Sequence, residues 1–339
     1  KQNILEGFVV FNFLKLYYIN IHQFTYKSLL FVFVGISLLL FISCQNDSEI
    51  PKSDLDNTSK QQSNSTSEQL SKKVNVIIAT VDIAVGRNRL TFGVIDSDKS
   101  PLRVNSVKAD YLYMDAPKIE VLVEDEAEYI QWPVTKSGVY VSRVNFQKPG
   151  IWMIRIKGVD DGGNQFFGET RFNVKPKSFT PAIDSKVPKS KNKTLNDVGD
   201  IAEISSSTDP DLNLYQLTVL DAINNDYPTL VVFATPKFCM TQTCGPQVSI
   251  VSKLREKYSD KVNFIHIEIY ENINEIGGDI EKAKISPIVM EWGIVSEPYT
   301  FIIKRNGLLH SKFEGGDPQK QAASETITLS EKMTSQATG

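Results

Sequence analysis

The sequence predicts a two-domain chain, an all-β sandwich followed by an α/β domain, and three observations carry that expectation. Between Val74 and Lys175, short runs alternate apolar and polar residues and are separated by turn signals. From Leu214 onward, continuous apolar runs alternate with amphipathic stretches. A Pro/Lys/Ser-rich segment lies between the two. At 339 residues the chain is long enough for two domains of ordinary size, and 41% hydrophobic with 23% charged residues is the composition of a globular protein.

Residues 1–44 read as a signal and anchor segment. The chain begins at Lys1, its first methionine is Met114, and residues 1–26 are expected to fall outside the mature protein. Lys27 supplies a positive flank to the apolar run Leu29–Ile42. The 14 residues of that run are too few for a membrane span, which takes about 20, and suit the hydrophobic region of a signal peptide. The run ends at Ser43-Cys44, followed by Gln45, Asn46 and Asp47. This resembles the lipobox of bacterial lipoproteins, with Phe41 where that family has Leu. The resemblance implies lipidation at Cys44 and attachment to the extracytoplasmic face of the cell membrane. Residues 45–73, polar and rich in Ser, Gln and Asn, cannot bury a core and read as a disordered tether.

Residues 74–175 carry six or seven strand signals. Leu90, Phe92 and Val94 share one face of "NRLTFGVID", and Trp152, Ile154 and Ile156 share one face of "IWMIRIKGV". Turns at Lys148-Pro149-Gly150 and at "DDGGN" punctuate the strands. The Gly-x-Tyr strand, Pro-Gly turn and Gly-x-Trp strand resemble small immunoglobulin-like domains of exported bacterial proteins, which implies a spacer or partner-binding module. Trp132 and Trp152 read as core residues, and no catalytic site is visible in this stretch.

Residues 176–200 read as a linker, and residues 201–335 as the second domain. Thr218-Val219-Leu220-Asp221 has the form of a capped helix start. "PTLVVFAT" is a buried strand, "QVSIVSKLREKY" an amphipathic helix and "VNFIHIEIY" a second strand. "SPIVMEWGI" is a helix with Pro287 in its first turn, and "YTFIIKRNG" is a third strand. Asn306-Gly307 is a hairpin signal leading into "LLHSKFEG", and Asp317-Pro318 opens a C-terminal helix.

Cys239 and Cys244 stand between the first of these strands and its helix. With Cys44 assigned to the anchor they are the remaining two of three cysteines. An even number in an exported protein is expected to pair. Residues five apart in a regular helix have Cα atoms about 8–9 Å apart, beyond the reach of a disulfide. Pairing therefore requires "CMTQT" to be irregular, and Gly245-Pro246 places the helix start near Cys244, because a proline is tolerated only in the first turn. Three roles stay open for the pair: a redox couple, a structural staple, or a soft-metal site completed by Met240 or a histidine.

The strand–helix order, the segments "VVFATPKFC" and "CGP", and Glu297-Pro298 in "GIVSEPYTFIIKRNG" resemble the thioredoxin fold over Leu214–Lys332, in the form found in membrane-anchored thioredoxin-like lipoproteins. The resemblance implies catalytic Cys239 and Cys244, a cis peptide at Pro298, and a substrate-contacting edge made by Glu297 and Pro298. The implied activity is thiol–disulfide exchange on exported protein thiols or disulfides, a candidate oxidoreductase needing no cofactor beyond electrons from a membrane dithiol carrier. In one register of the motif Cys239 attacks. In the other Cys244 attacks, Gln247 stands where the family has its resolving cysteine, and Cys239 resolves from the upstream loop; nearness to the helix N-terminus favours Cys244. Lys237 would add to the positive field there. The rival expectation is a non-catalytic binding module or a copper(I)-handling protein using the same cysteines.

Other classes are excluded. A formal net charge of −3 provides no basic footprint for nucleic acid. Zinc spacings, the P-loop and the dinucleotide fingerprint are missing from the sequence, and no metal ligand is assigned. His266 reads as a hydrogen-bonded interior residue of a central strand, His310 as a surface residue, and Trp292 as core.

Overall fold

The computed structural model describes residues 72–132, 138–239 and 243–315. The first eight strands are β1 (Lys72–Lys73), β2 (Asn75–Ile78), β3 (Gly86–Ile95), β4 (Ser106–Tyr113), β5 (Val121–Gln131), β6 (Gly138–Phe146), β7 (Gly150–Val159) and β8 (Gln165–Val174). They form one sheet in the order β1-β8-β7-β4-β5-β6-β3-β2, with β1 parallel to β8 and the other pairs antiparallel. β1 and β2 are neighbours in the chain yet sit at opposite ends of that order, so the sheet curls until its edges meet. Val74, between them, donates its N–H to Phe167 O on β8 at 2.8 Å. Gly168 permits the approach, because a Cβ there would lie 2.7 Å from Val74 O.

The alternation expected of β3 and β7 is realised: Leu90, Phe92, Trp152, Ile154 and Ile156 are fully buried and pack with Tyr111, Tyr140 and Phe146. Trp132 is only half-buried at the end of β5, outside that core.

Four further strands, β9 (Thr229–Phe233), β10 (Asn263–Ile267), β11 (Tyr299–Ile303) and β12 (Leu309–Glu314), form a second sheet. Its order is β10-β9-β11-β12, with β10 parallel to β9 and β11 antiparallel to both β9 and β12. Every residue of β9 and β11 is buried, which is why these strands read as unbroken apolar runs. One face holds Val231, Phe233, Ile265, Phe301 and Trp292. The other holds Leu230, Val232, Phe264 and Val248. The helices are α1 (Val219–Ile223), α2 (Cys244–Tyr258), α3 (Ile273–Ile276) and α4 (Pro287–Glu291).

The expectation of an immunoglobulin-like sandwich followed by an α/β thioredoxin-like domain is corrected on both counts. The first eight strands make a single, nearly closed sheet. Sandwich and curled sheet both bury one face of every strand, so alternation does not distinguish them. The described residues as a whole are mainly β, with twelve strands against four α-helices. Three of those helices have five residues or fewer, because the amphipathic stretches end early. α1 stops at the turn-forming Asn224-Asn225-Asp226. α3 and α4 are closed by Gly277 and Gly293, both with left-handed backbone. The helix expected from Asp317, residues 45–71 of the tether and Cys44 lie outside the described residues, whereas Lys72 and Lys73, read as the end of that tether, form β1 and pair with β8.

The segment read as a linker from its composition runs along β12. Asp184 N–H donates to Leu309 O and Leu309 N–H to Ser185 O, each at 2.8 Å. Val187, Ser190 and Asn192 are buried. Between the two sheets sits Asp82, its carboxylate unexposed. It meets Lys175 Nζ at 2.8 Å and Lys312 Nζ at 3.6 Å. It also accepts from Ser178 Oγ, Thr180 Oγ1 and the Phe179 and Thr180 N–H groups. Burial alone would raise its pKa, but Lys312 and Lys175 hold it far below the usual carboxylate range. Glu314 of β12 closes the same junction by accepting from Val81 N–H, Asp82 N–H and Ser296 Oγ.

Candidate functional site

β9 and β10 run parallel, so their carboxyl ends open at one edge of the second sheet, where chains leave the strands and ligand sites of such sheets form. From β9 the chain passes through Ala234 and Thr235 into the turn Pro236-Lys237-Phe238 and reaches Cys239. α2 begins at Cys244 with Pro246 in its first turn, as the sequence predicts. Thr243 makes no side-chain cap hydrogen bond, and the N-terminus of α2, with its partial positive charge, lies at the sulfurs' end of the helix.

Cys239 and Cys244 are joined by a disulfide with Cα atoms 6.0 Å apart, inside the usual range for a bridge. The two halves differ in access. Cys244 is fully buried in the α2 face of the sheet core, whereas Cys239 is half-buried and packs against that cluster from outside. The more accessible sulfur is thus that of Cys239, although Cys244 is the one at the helix N-terminus. Gln247, in the position the motif register would give to a resolving group, is buried and donates from Nε2 to Thr300 Oγ1 at 3.0 Å, tying α2 to β11.

Glu297 precedes Pro298, and the peptide between them is cis. The sequence placed Glu297 against a substrate chain. The structure turns its carboxyl inward: Oε2 accepts from Thr235 N–H at 2.9 Å and lies 3.6 Å from Cys244 Sγ. Burial, with repulsion from Glu268, pushes its pKa up to about 8. Pro298 O accepts from Gly315 N–H at 2.9 Å, so that carbonyl is engaged by the protein itself.

A buried acid was missed in the sequence. Glu268, just beyond β10, is buried and accepts from Ser206 N–H at 2.8 Å through Oε2, while Oε1 has no hydrogen-bond partner among the described residues. Burial raises its pKa to about 7. The available signal was an acidic residue at the end of the apolar run "FIHIEI". Ser206 joins the edge together, its Oγ accepting from Lys237 N–H at 3.1 Å and lying 3.3 Å from Thr235 Oγ1.

His266 is an interior residue with both ring nitrogens engaged. Nε2 donates to Ala234 O at 3.0 Å, and Nδ1 lies 2.6 Å from Tyr215 Oη. Burial lowers its pKa to about 4, so the ring is neutral. Its strand is at the edge of the sheet and not central. Trp292 is fully buried, donating from Nε1 to Ser190 Oγ at 2.8 Å. His310 is half-buried on β12.

A cavity of about 280 Å³ lies beyond β10, lined among others by His266, Glu268, Tyr270 and Lys193. Neither cysteine is among its lining residues. No helix among the described residues is long and apolar enough to cross a membrane.

No protein-family model matches the sequence, and no curated protein matches it. Among solved structures the chain is similar to MtrC from Shewanella baltica, with 10% identity over 36% of this chain and 24% of that one at a TM-score of 0.23. It is also similar to murine CRIg, with 10% identity over 30% and 96% of the two chains at a TM-score of 0.20. The C-terminal domain of ZirS aligns with 14% identity over 39% and 94% at a TM-score of 0.16. The matched part spans under a quarter of MtrC, and at these scores none of the three bears on function.

Proposed function

We propose that this protein carries out thiol–disulfide exchange on exported protein thiols, with Cys239 as the sulfur that meets the substrate and Cys244 as its resolving partner. The observation that carries the reading is the asymmetry of the disulfide: a half-buried sulfur is bonded to a fully buried one that sits 3.6 Å from the carboxyl of Glu297.

A substrate thiolate attacks Cys239 Sγ, the S–S bond breaks, and its electron pair departs on Cys244 Sγ. Glu297, with its pKa near 8, is largely protonated at neutral pH and delivers its proton to that sulfur. The N-terminal end of α2 adds positive potential while the sulfur is anionic. The substrate's second thiolate then attacks the substrate sulfur of the mixed disulfide and releases Cys239 thiolate. The substrate dithiol has become a disulfide, and its two electrons rest on the cysteine pair, to be passed to a membrane dithiol carrier. In the opposite direction Glu297 carboxylate removes the Cys244 proton, and the same bonds form and break in reverse.

Anchoring at the extracytoplasmic face of the membrane through lipidated Cys44 belongs to the same proposal. It is supported by the apolar run ending at Ser43-Cys44 and by the cysteine pairing itself, which suits an oxidising compartment.

The binding-module or copper(I) reading rests on the same two sulfurs. His266 cannot join them, since both its nitrogens are engaged elsewhere. Copper(I) binding lost on Cys→Ser at either position, without exchange activity, would favour that reading.

The deciding experiment is the reduction potential of the Cys239–Cys244 pair, measured in graded thiol buffers with thiol trapping and mass spectrometry. A value of about −120 to −270 mV is that of exchange proteins, and one below about −300 mV is that of a structural disulfide.

A further inference from the structure

Cys239 Sγ, Cys244 Sγ and a carboxylate oxygen of Glu297 all lie within 4.8 Å of one another. We infer that, once a dithiol reductant has opened the disulfide, Cys239, Cys244 and Glu297 form a three-ligand site for a divalent metal ion of the zinc type. The inference uses the two thiols of the proposed exchange site but does not require that they exchange.

The geometry is the main support. In a tetrahedral zinc site with Zn–S of about 2.3 Å and Zn–O of about 2.1 Å, a sulfur and an oxygen ligand stand about 3.6 Å apart. Cys244 Sγ and Glu297 Oε2 are 3.6 Å apart, so this edge of the tetrahedron is already at its working length. The sulfur–sulfur edge must open to about 3.8 Å, and breaking the S–S bond removes what holds the sulfurs closer. Thr235 N–H, at 2.9 Å from the same Glu297 oxygen, fixes the carboxylate as supporting partners of metal ligands do.

The donor set selects the ion class. Two thiolates exclude magnesium and calcium, which take oxygen ligands. A carboxylate oxygen suits zinc better than copper(I), which favours soft donors throughout. Three protein ligands leave a fourth position for water or an incoming thiolate. On binding, two thiols and one carboxylic acid lose up to three protons to solvent, and no electron moves. Disulfide and metal are mutually exclusive at the same sulfurs, so the oxidation state of the pair decides whether metal is held.

The test uses the full chain carrying Cys44→Ser, which leaves two of its three cysteines. It is reduced and freed of reductant without oxygen, two thiols are confirmed by titration, and cobalt(II) is added and then displaced by zinc(II). One equivalent of cobalt with intense visible bands and thiolate charge-transfer absorption is expected, against none in the oxidised protein. Glu297→Gln is expected to weaken zinc binding at least about tenfold, since losing even a supporting partner of a ligand costs that much. If that variant does not fold, Cys239→Ser at the half-buried position is expected to weaken zinc binding by at least the same factor.

No saturable binding by the reduced protein overturns the inference. Unchanged affinity in the variant overturns it too, as does a disulfide that no dithiol opens. The metal-free reduction potential is measured separately. A protein that binds zinc with a structural-disulfide potential keeps this inference and loses the exchange reading, and the converse result does the opposite.

Discussion

Cys244 Sγ and Glu297 Oε2 lie 3.6 Å apart although 53 positions separate them in the chain. α2 delivers the sulfur, the chain just before β11 delivers the carboxyl, and Thr235 after β9 holds the oxygen that faces the sulfur. A buried thiolate without a proton source nearby would be costly. This pairing places the source in contact.

Glu297→Gln is therefore expected to slow opening and closing of the Cys239–Cys244 disulfide by about 10²-fold, the lower end of general acid–base effects. The wild-type rate should show a titration near pH 8 that the variant lacks. Alkylation of Cys239 in the reduced protein should be unchanged. Stopped-flow rates against pH provide the check, and an identical profile in the variant would rule out the proton-transfer role.

Glu297, half-buried, and Glu268, buried, also make stability depend on pH in the oxidised protein, where the paired cysteines do not titrate. Glu297 and Glu268 have folded pKa values of about 8 and about 7 against ordinary values of 4.5. The folded state thus holds their protons more tightly than the unfolded state does. Their stabilising contribution is complete below about pH 4.5 and is lost as pH rises through 7 and 8. His266 acts in the opposite sense: lowered from 6.5 to about 4, it contributes above 6.5 and loses that contribution as pH falls. Between pH 6.5 and 8.5 the urea midpoint should fall in the wild type and fall less in Glu297→Gln. Equal falls would contradict the burial of that carboxyl.

Trapping distinguishes the two sulfurs. Cys244→Ser should accumulate a mixed disulfide between Cys239 and a substrate thiol, because nothing remains to resolve it. Cys239→Ser should trap none, since Cys244 is fully buried. Mass spectrometry of adducts formed with a cysteine-containing peptide reads both. Adducts on Cys244 alone would return the attacking role to that residue.

Asp82→Ala should be among the most destabilising single changes at the junction of the two sheets. It leaves Lys175 and Lys312 partly buried without their carboxylate. Breaking such a pair by removing one partner costs about 3–5 kcal/mol. Urea denaturation measures it, and a loss under about 1 kcal/mol would be that of an exposed ion pair.

Local rules determined several features from the sequence alone. Alternation at Leu90, Phe92, Trp152, Ile154 and Ile156 set which faces are buried, because a strand's side chains have period two whatever sheet they join. Pro246 set the start of α2, since its ring is excluded from a helix interior. The unbroken apolar run of β9 announced a buried strand. Only the tertiary structure decided that the first eight strands close into one curled sheet. It also decided that short helices leave the described residues mainly β, that Glu297 turns inward to Cys244, and that Glu268 and Asp82 are buried acids. These depend on pairings between residues far apart in the chain. A periodicity reports which face is apolar, and it carries no information about which distant face or which distant charge that surface will meet.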